Sequence, residues 1–210
     1  MSENVTRAGT ALLLLVAAVL LASRGPAAIA QSAAPAQGLP ADLKDLRGEW
    51  KRAGAGFGCK VVPPRQLSQE LLLAVMARAC QRLGPLVVGD AASTAAGALG
   101  PPHRTLKQPR DQVAWIYFIG QRERYPYFVV TVAADKIVAL QVTGEAAAPG
   151  YEFSQVALGA SKDDLVAVFG QPSHFEPSDL KDVELWTYPP HPFSFELKGG
   201  RVISIRVRQP

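Results

Sequence analysis

The sequence predicts an α+β fold: two tandem modules, each a short helical segment packed on an antiparallel three- to four-stranded sheet, preceded by an N-terminal helical region. Two observations carry this. The first is an internal repeat. Gly159 and Gly170 follow Gly89 and Gly100 at an offset of 70 residues, and Pro172 follows Pro102 at the same offset. Trp186 and Tyr188 follow Trp115 and Tyr117 at an offset of 71. A near-constant offset over a whole segment is the mark of a duplicated unit. The second is strand alternation. Phe193, Phe195 and Leu197 alternate with Ser194, Glu196 and Lys198, the pattern of a sheet with one wet face.

Residues 1–30 read as a signal peptide. Arg7 supplies positive charge, residues 11–22 are an unbroken apolar run, and Ala28-Ile29-Ala30 offers a cleavage site before Gln31. Twelve helical residues span only about 18 Å, too short for the hydrocarbon core. Cleavage leaves no stable membrane insertion and places the chain in the periplasm or outside the cell; an uncleaved anchor is the competing reading. Residues 31–40, rich in Ala, Pro and Gln, read as a disordered leader.

The region 41–84 reads as helical. Leu43, Leu46, Trp50 and Ala53 recur at helical spacing over 42–53, and Leu72, Val75, Met76, Ala79 and Leu83 do so over 68–83. Ser68 caps the second helix, and Gly84-Pro85 stops it. Cys59 and Cys80 are the sole cysteines. In an exported chain they form one disulfide. It closes a loop for which chain entropy gives roughly 3 kcal/mol.

The first repeat occupies 85–144 and the second 145–210. In the second, Ser161 and Asp164 make a capping box, Leu165, Val168 and Phe169 turn inward, and Gly170 and Pro172 end the helix. Ala95, Ala98 and Leu99 take the inward places in the first, which implies a closer helix contact. Strands follow at 113–119, 127–133 and 137–142, and again at 183–188, 193–197 and from Ile203 onward, where Lys198-Gly199-Gly200-Arg201 makes a hairpin turn.

Leu158-Gly159-Ala160-Ser161, the apolar helix, Gly170-x-Pro172, Trp186-x-Tyr188, Phe195 and Gly200-Arg201-Val202-Ile203 together resemble the SmpA/OmlA module of the outer-membrane assembly lipoprotein. Two such units in tandem are similar to the β-lactamase inhibitor protein. The resemblance covers about residues 85–210. It implies an exported, non-enzymatic protein-interaction module of the bacterial cell envelope, with an envelope-assembly or inhibitor-like role. It also implies that Trp115 and Trp186 face the helices. The acylated cysteine of the lipoprotein is absent here.

No catalytic motif, cofactor fingerprint or metal-ligand cluster is legible, so no catalytic, cofactor or metal residue is expected. The net charge of +4 is spread along the chain, which argues against a nucleic-acid partner. His103 and His174 follow the helix-ending prolines of the two repeats. They support the competing function, a periplasmic hydrolase or metal-binding protein in which the two histidines meet across a pseudo-twofold axis. His191 lies in a stiff Pro-rich turn.

The strand at 113–119 is apolar on both sides. With Trp115 and Tyr117 turned to the helices, Ile116 and Phe118 face the other way, with Leu185 and Thr187 at the matching places in the second repeat. Either the N-terminal helices cover this second face or a protein partner does. In the latter case Ile116, Phe118, Tyr125, Tyr127 and Leu185 are the expected contacts, an apolar centre rimmed by Arg122, Arg124 and Arg206.

Overall fold

The computed structural model describes residues 38–120 and 126–210. The signal peptide and most of the leader lie outside the described residues.

The N-terminal region departs from the helix pair expected of it. Helix α1 (Ala41–Lys44) has one turn, and after four irregular residues strand β1 (Glu49–Ala53) takes the end of the 42–53 segment. It pairs with β2 (Gly56–Lys60) as an antiparallel hairpin. Gly48 explains the change. Its N–H donates to the Ala79 carbonyl at 3.1 Å, and a Cβ there would stand 2.5 Å from the Cys80 sulfur. The chain is thus pressed against the end of the next helix, in a geometry that continuing α1 would not allow. Gly54, at φ +61°, then turns the hairpin.

Helix α2 (Gln69–Ala79) begins as expected, with the Ser68 hydroxyl accepting from the Leu71 N–H. It stops at Cys80 rather than at Leu83. Arg82 and Leu83 form β3 (Arg82–Leu83), which pairs with β4 (Leu86–Val87) around Gly84 and Pro85. Cys59 and Cys80 are joined, with their Cα atoms 5.9 Å apart, and so tie β2 to the end of α2.

The order helix, then four strands, now occurs twice. Helix α3 (Ala92–Leu99) precedes β5 (Arg104–Gln108), β6 (Gln112–Phe118), β7 (Tyr127–Ala133) and β8 (Lys136–Thr143). Helix α4 (Lys162–Phe169) precedes β9 (His174–Pro177), β10 (Val183–Thr187), β11 (Phe193–Lys198) and β12 (Arg201–Arg208). The capping box of α4 forms in both directions. These eight strands make one antiparallel sheet, in the order β5-β6-β7-β8-β12-β11-β10-β9. Equivalent hydrogen bonds recur. The Gly89 N–H donates to the Ile137 carbonyl at 2.8 Å, and Gly159 to Val202 at 2.7 Å. The Tyr117 hydroxyl donates to the Gly100 carbonyl, and Tyr188 to that of Gly170.

The seam is β8 with β12. It pairs Ala139 with Arg208 at one end and Thr143 with Ser204 at the other, so Gln141 and Arg206 sit opposite each other at its middle. Pairing here removes two edges that would otherwise be open.

One face of the sheet carries the core. Tyr117, Phe128, Val130, Leu140, Trp186, Phe195, Ile205 and Val207 pack there with Ala95 of α3 and Leu165 and Phe169 of α4. The N-terminal hairpin lies on this same side. Trp50 meets Phe193 at 5.5 Å between ring centroids, and Phe57 meets Phe169 at 5.6 Å. A second small cluster gathers Leu43, Val75 and Ala79.

Candidate functional site

The opposite face of the sheet is the candidate site. None of its residues belongs to either buried cluster, and among the described residues the helices and the β1–β2 hairpin pack on the other side. The expectation that segments 42–53 and 68–83 fold over this face is therefore corrected: Trp50, in the first of them, packs against the core face instead.

Strand register arranges the face in rows. Through its middle run His174, Thr187, Ser194, Arg206, Gln141, Val129, Ile116 and Arg104, one from each of the eight strands. The neighbouring row is Glu176, Leu185, Glu196, Ser204, Thr143, Tyr127 and Phe118. Ile116, Phe118 and Tyr127 thus meet, Phe118 directly opposite Tyr127, with Val129 beside Ile116. Leu185 does not join them. It lies on β10, five strand spacings from β6, or roughly 24 Å. Tyr125, Arg122 and Arg124 lie outside the described residues.

The centre of the face is polar, which corrects the expected apolar centre. The Gln141 side-chain amide donates to the hydroxyls of Ser204 at 2.9 Å and Thr143 at 3.2 Å. Arg206, expected on the rim, stands at the middle of the seam. The apolar residues gather on the β5–β7 half, and Leu185 stands apart from them on β10. On the other half a cleft of about 410 Å³ opens, lined by Glu176, Ser194, Glu196, Arg206 and Arg208 and walled by Pro189, Pro190 and His191. Burial among these walls lowers the pKa of Arg206, as does the charge of Arg208; Glu196 opposes them. The guanidinium stays charged.

His103 and His174 are not brought together. They stand at opposite edges of the sheet, His103 just before β5 and His174 in β9, seven strand spacings or roughly 33 Å apart. A metal held between them is excluded by topology. His103 accepts from the Phe118 N–H through Nδ1 at 3.4 Å, and its ring lies 5.1 Å from that of Phe118. His174 Nε2 stands 3.5 Å from a Glu176 carboxylate oxygen. Among the described residues no group of three or more His, Cys, Asp or Glu is placed to hold a metal ion.

His191 is a packing residue. Its ring meets Trp50 at 5.3 Å and Phe57 at 5.0 Å, and burial lowers its pKa below the ordinary 6.5. The unfolded chain then takes up the proton more readily than the folded one. The His191 contribution to stability is expected to be full above pH 6.5 and to be lost as pH falls through the lowered value. Urea midpoints across this range check it. His191→Phe should flatten the slope, and an unchanged slope would assign it to another group.

No family model matches the chain, and no curated protein matches it. Three solved structures show partial likeness, each with a TM-score below 0.5. One is a cysteine-rich secretory protein of Staphylococcus aureus subsp. aureus Mu50, 16% identical, TM-score 0.40, covering 58% of this chain and 44% of that one. Another is an extracellular protein containing an SCP domain from Bacillus anthracis str. Ames, 13% identical, TM-score 0.44, with coverage of 71% and 50%. The third is a DUF4309 family protein of Bacillus subtilis subsp. subtilis str. 168, 14% identical, TM-score 0.41, with coverage of 58% and 79%. The chain spans about half the length or less of the first two. Among the described residues no helix is long and apolar enough to cross a membrane.

Proposed function

We propose that this protein is an exported, non-enzymatic interaction module of the cell envelope, periplasmic or secreted, that binds a protein partner through the open face of its sheet. The observation that carries the reading is the cluster of Ile116, Phe118, Tyr127 and Val129 on a face that no described helix covers. Aromatic and aliphatic side chains beside a charged surround are the composition of an interface core and rim. The disulfide supports an oxidising compartment. The recurring helix-plus-four-strand order and its matched hydrogen bonds support two tandem copies of one SmpA/OmlA-like module, 85–144 and 145–210.

The test is site-specific photo-crosslinking in the envelope fraction of the producing cell. A crosslinker at position 116 or 118 should give one reproducible protein adduct. One at Leu73, an exposed position on α2 remote from this face, should not. Phe118→Ser should abolish the adduct formed from position 116. The same substitution should leave the melting temperature nearly unchanged, since a cross-strand pair such as Phe118–Tyr127 contributes only about 0.2–1 kcal/mol. Equal adducts from positions 116 and 73, or global unfolding of the Phe118→Ser protein, would place the binding surface elsewhere.

A further inference from the structure

The two edges of the eight-stranded sheet differ in how they are closed. Strand β9 has four residues, ends in Pro177, which has no N–H to offer, and carries Glu176 beside His174. Strand β5 is open. All five of its residues, Arg104-Thr105-Leu106-Lys107-Gln108, are exposed, none is proline or glycine, and its pairing with β6 runs without a bulge. Alternate residues of such an edge direct their N–H and C=O groups away from the sheet, where an added strand can take them up. Register sets Leu106 beside Ala114, on the open face with Ile116, and Lys107 beside Val113, on the helix side. Leu106 is 51% exposed and extends the apolar β5–β7 patch to the rim. Charge at this edge is in excess of one sign. The segment 103–112 holds Arg104, Lys107 and Arg110 against Asp111, and β6, β7 and α3 contribute no charged residue. Among the described residues neither Lys107 nor Arg110 makes an ion pair.

We propose that β5 takes up an extended segment of the partner as an added edge strand, one whose alternate residues are apolar on the open face and acidic on the helix side. The inference rests on the protein-binding role argued above and specifies the partner's form and chemistry. Strand addition draws its affinity from main-chain hydrogen bonds and its specificity from alternate side chains. An apolar residue opposite Leu106 carries the patch of Ile116 and Phe118 on to the new strand. Its neighbour along the segment turns to the helix side and meets Lys107, where a carboxylate makes an opposite-charge cross-strand pair. A second copy of this chain is the poorer occupant. Antiparallel pairing of β5 with itself about Leu106 would set two Lys107 side chains diagonally on one face and add a second hairpin with the same excess of positive charge. Edge charges of this kind keep like edges apart while leaving the edge open to a strand of opposite sign.

The experiment is a titration of the intact mature protein with a capped peptide alternating Glu and Val, followed by calorimetry and by amide hydrogen exchange. Its controls are the Lys/Val analogue and two N-methylated forms of the Glu/Val peptide, one methylated at every Glu amide and the other at every Val amide. The Glu/Val peptide should bind at least about tenfold tighter than the Lys/Val analogue, and more weakly as salt is raised. Alternate amides of β5 should gain protection, and those of β9 should not. One methylated form should lose binding and the other keep it, because an added strand pairs along one of its edges only. Lys107→Glu with Arg110→Glu should reverse the preference between the two unmethylated peptides; both residues are exposed, so the fold should be kept, as a thermal melt checks. The methylated pair decides the matter on the unsubstituted protein should that variant unfold.

Equal binding of the Glu/Val and Lys/Val peptides, equal effects of the two methylations, or protection confined to strands other than β5 would overturn the inference. So would protection of β5 in the free protein that rises with its concentration, which assigns the edge to a second copy. Failure of the wider role reads differently. In that case the acidic peptide adds to β5 while positions 116 and 118 yield no adduct. If those adducts form and a crosslinker at position 106 captures a different protein or none, the strand-addition inference alone falls.

Discussion

Trp186→Ala is expected to destabilise the protein by about 3–5 kcal/mol, the usual cost of removing a buried large aromatic. In a domain of this size that lowers the melting temperature by roughly 10 °C. Trp186 is only 2% exposed. It pairs across the sheet with Phe195 on one side and Phe175 on the other. Its indole N–H donates to Glu184 at 2.9 Å, and the Lys162 ammonium stands 4.9 Å above its ring. Truncation leaves a void beneath α4 that Leu165 and Phe169, themselves fully packed, cannot fill. Trp115 is the informative comparison. It holds the matching place on β6 and faces the same side, but it is only half-buried, because α3 presents the small Ala92 and Ala95. Trp115→Ala is therefore expected to cost about half as much. Chemical denaturation of both variants decides the matter. Equal losses would mean that α3 covers its half of the sheet as fully as α4 covers the other.

Replacing Cys59 and Cys80 together by serine is expected to cost about 3 kcal/mol. The bond closes a loop of sequence separation 21, and the freed chain regains the entropy of that closure when it unfolds. Further contacts depend on the same place. The Cys80 carbonyl accepts from the Trp50 indole N–H at 3.0 Å, and the Gly48 backbone lies against Cys80. The loss should be uneven. Amide exchange should rise most in β1, β2 and α2, and least in β7, β8 and β12, whose pairing does not pass through the disulfide. Dithiothreitol on the unsubstituted protein should reproduce both effects. Uniform acceleration across the sheet would instead make the disulfide part of one cooperative unit with it.

Several elements were legible because their signals are local. Helix α4 announces itself through Ser161, Asp164 and Gly170, all within one short segment, and each plays the expected part. The β11–β12 hairpin follows from alternation and from Gly199-Gly200, both at positive φ. Strands β5 and β9 escaped because they are edge strands, exposed along their length, and so show no buried side to alternate with a wet one. Strand β1 escaped because Leu43, Leu46, Trp50 and Ala53 fit a helix by spacing. What decides against it is the contact of Gly48 with Cys80, thirty-two residues away in the chain. The candidate site divides in the same manner. That Ile116 and Phe118 point away from Trp115 follows from alternation alone. That Arg206 stands at the middle of the face depends on the pairing of β12 with β8, a long-range match without a sequence signature.

The seam at Gln141 and Arg206 has a consequence for orientation. Its backbone register reads alike in both directions, since Ala139 meets Arg208 just as Thr143 meets Ser204. A face made of two identical halves about such a line would look the same after a half-turn, and a ligand could lie on it either way round. Here the side chains break that equivalence. Ile116, Val129 and Phe118 are on one side of the line, and Arg206, Arg208 and Glu196 on the other. A backbone without a preferred heading thus supports a surface that has one, and whatever lies across it has a head and a tail.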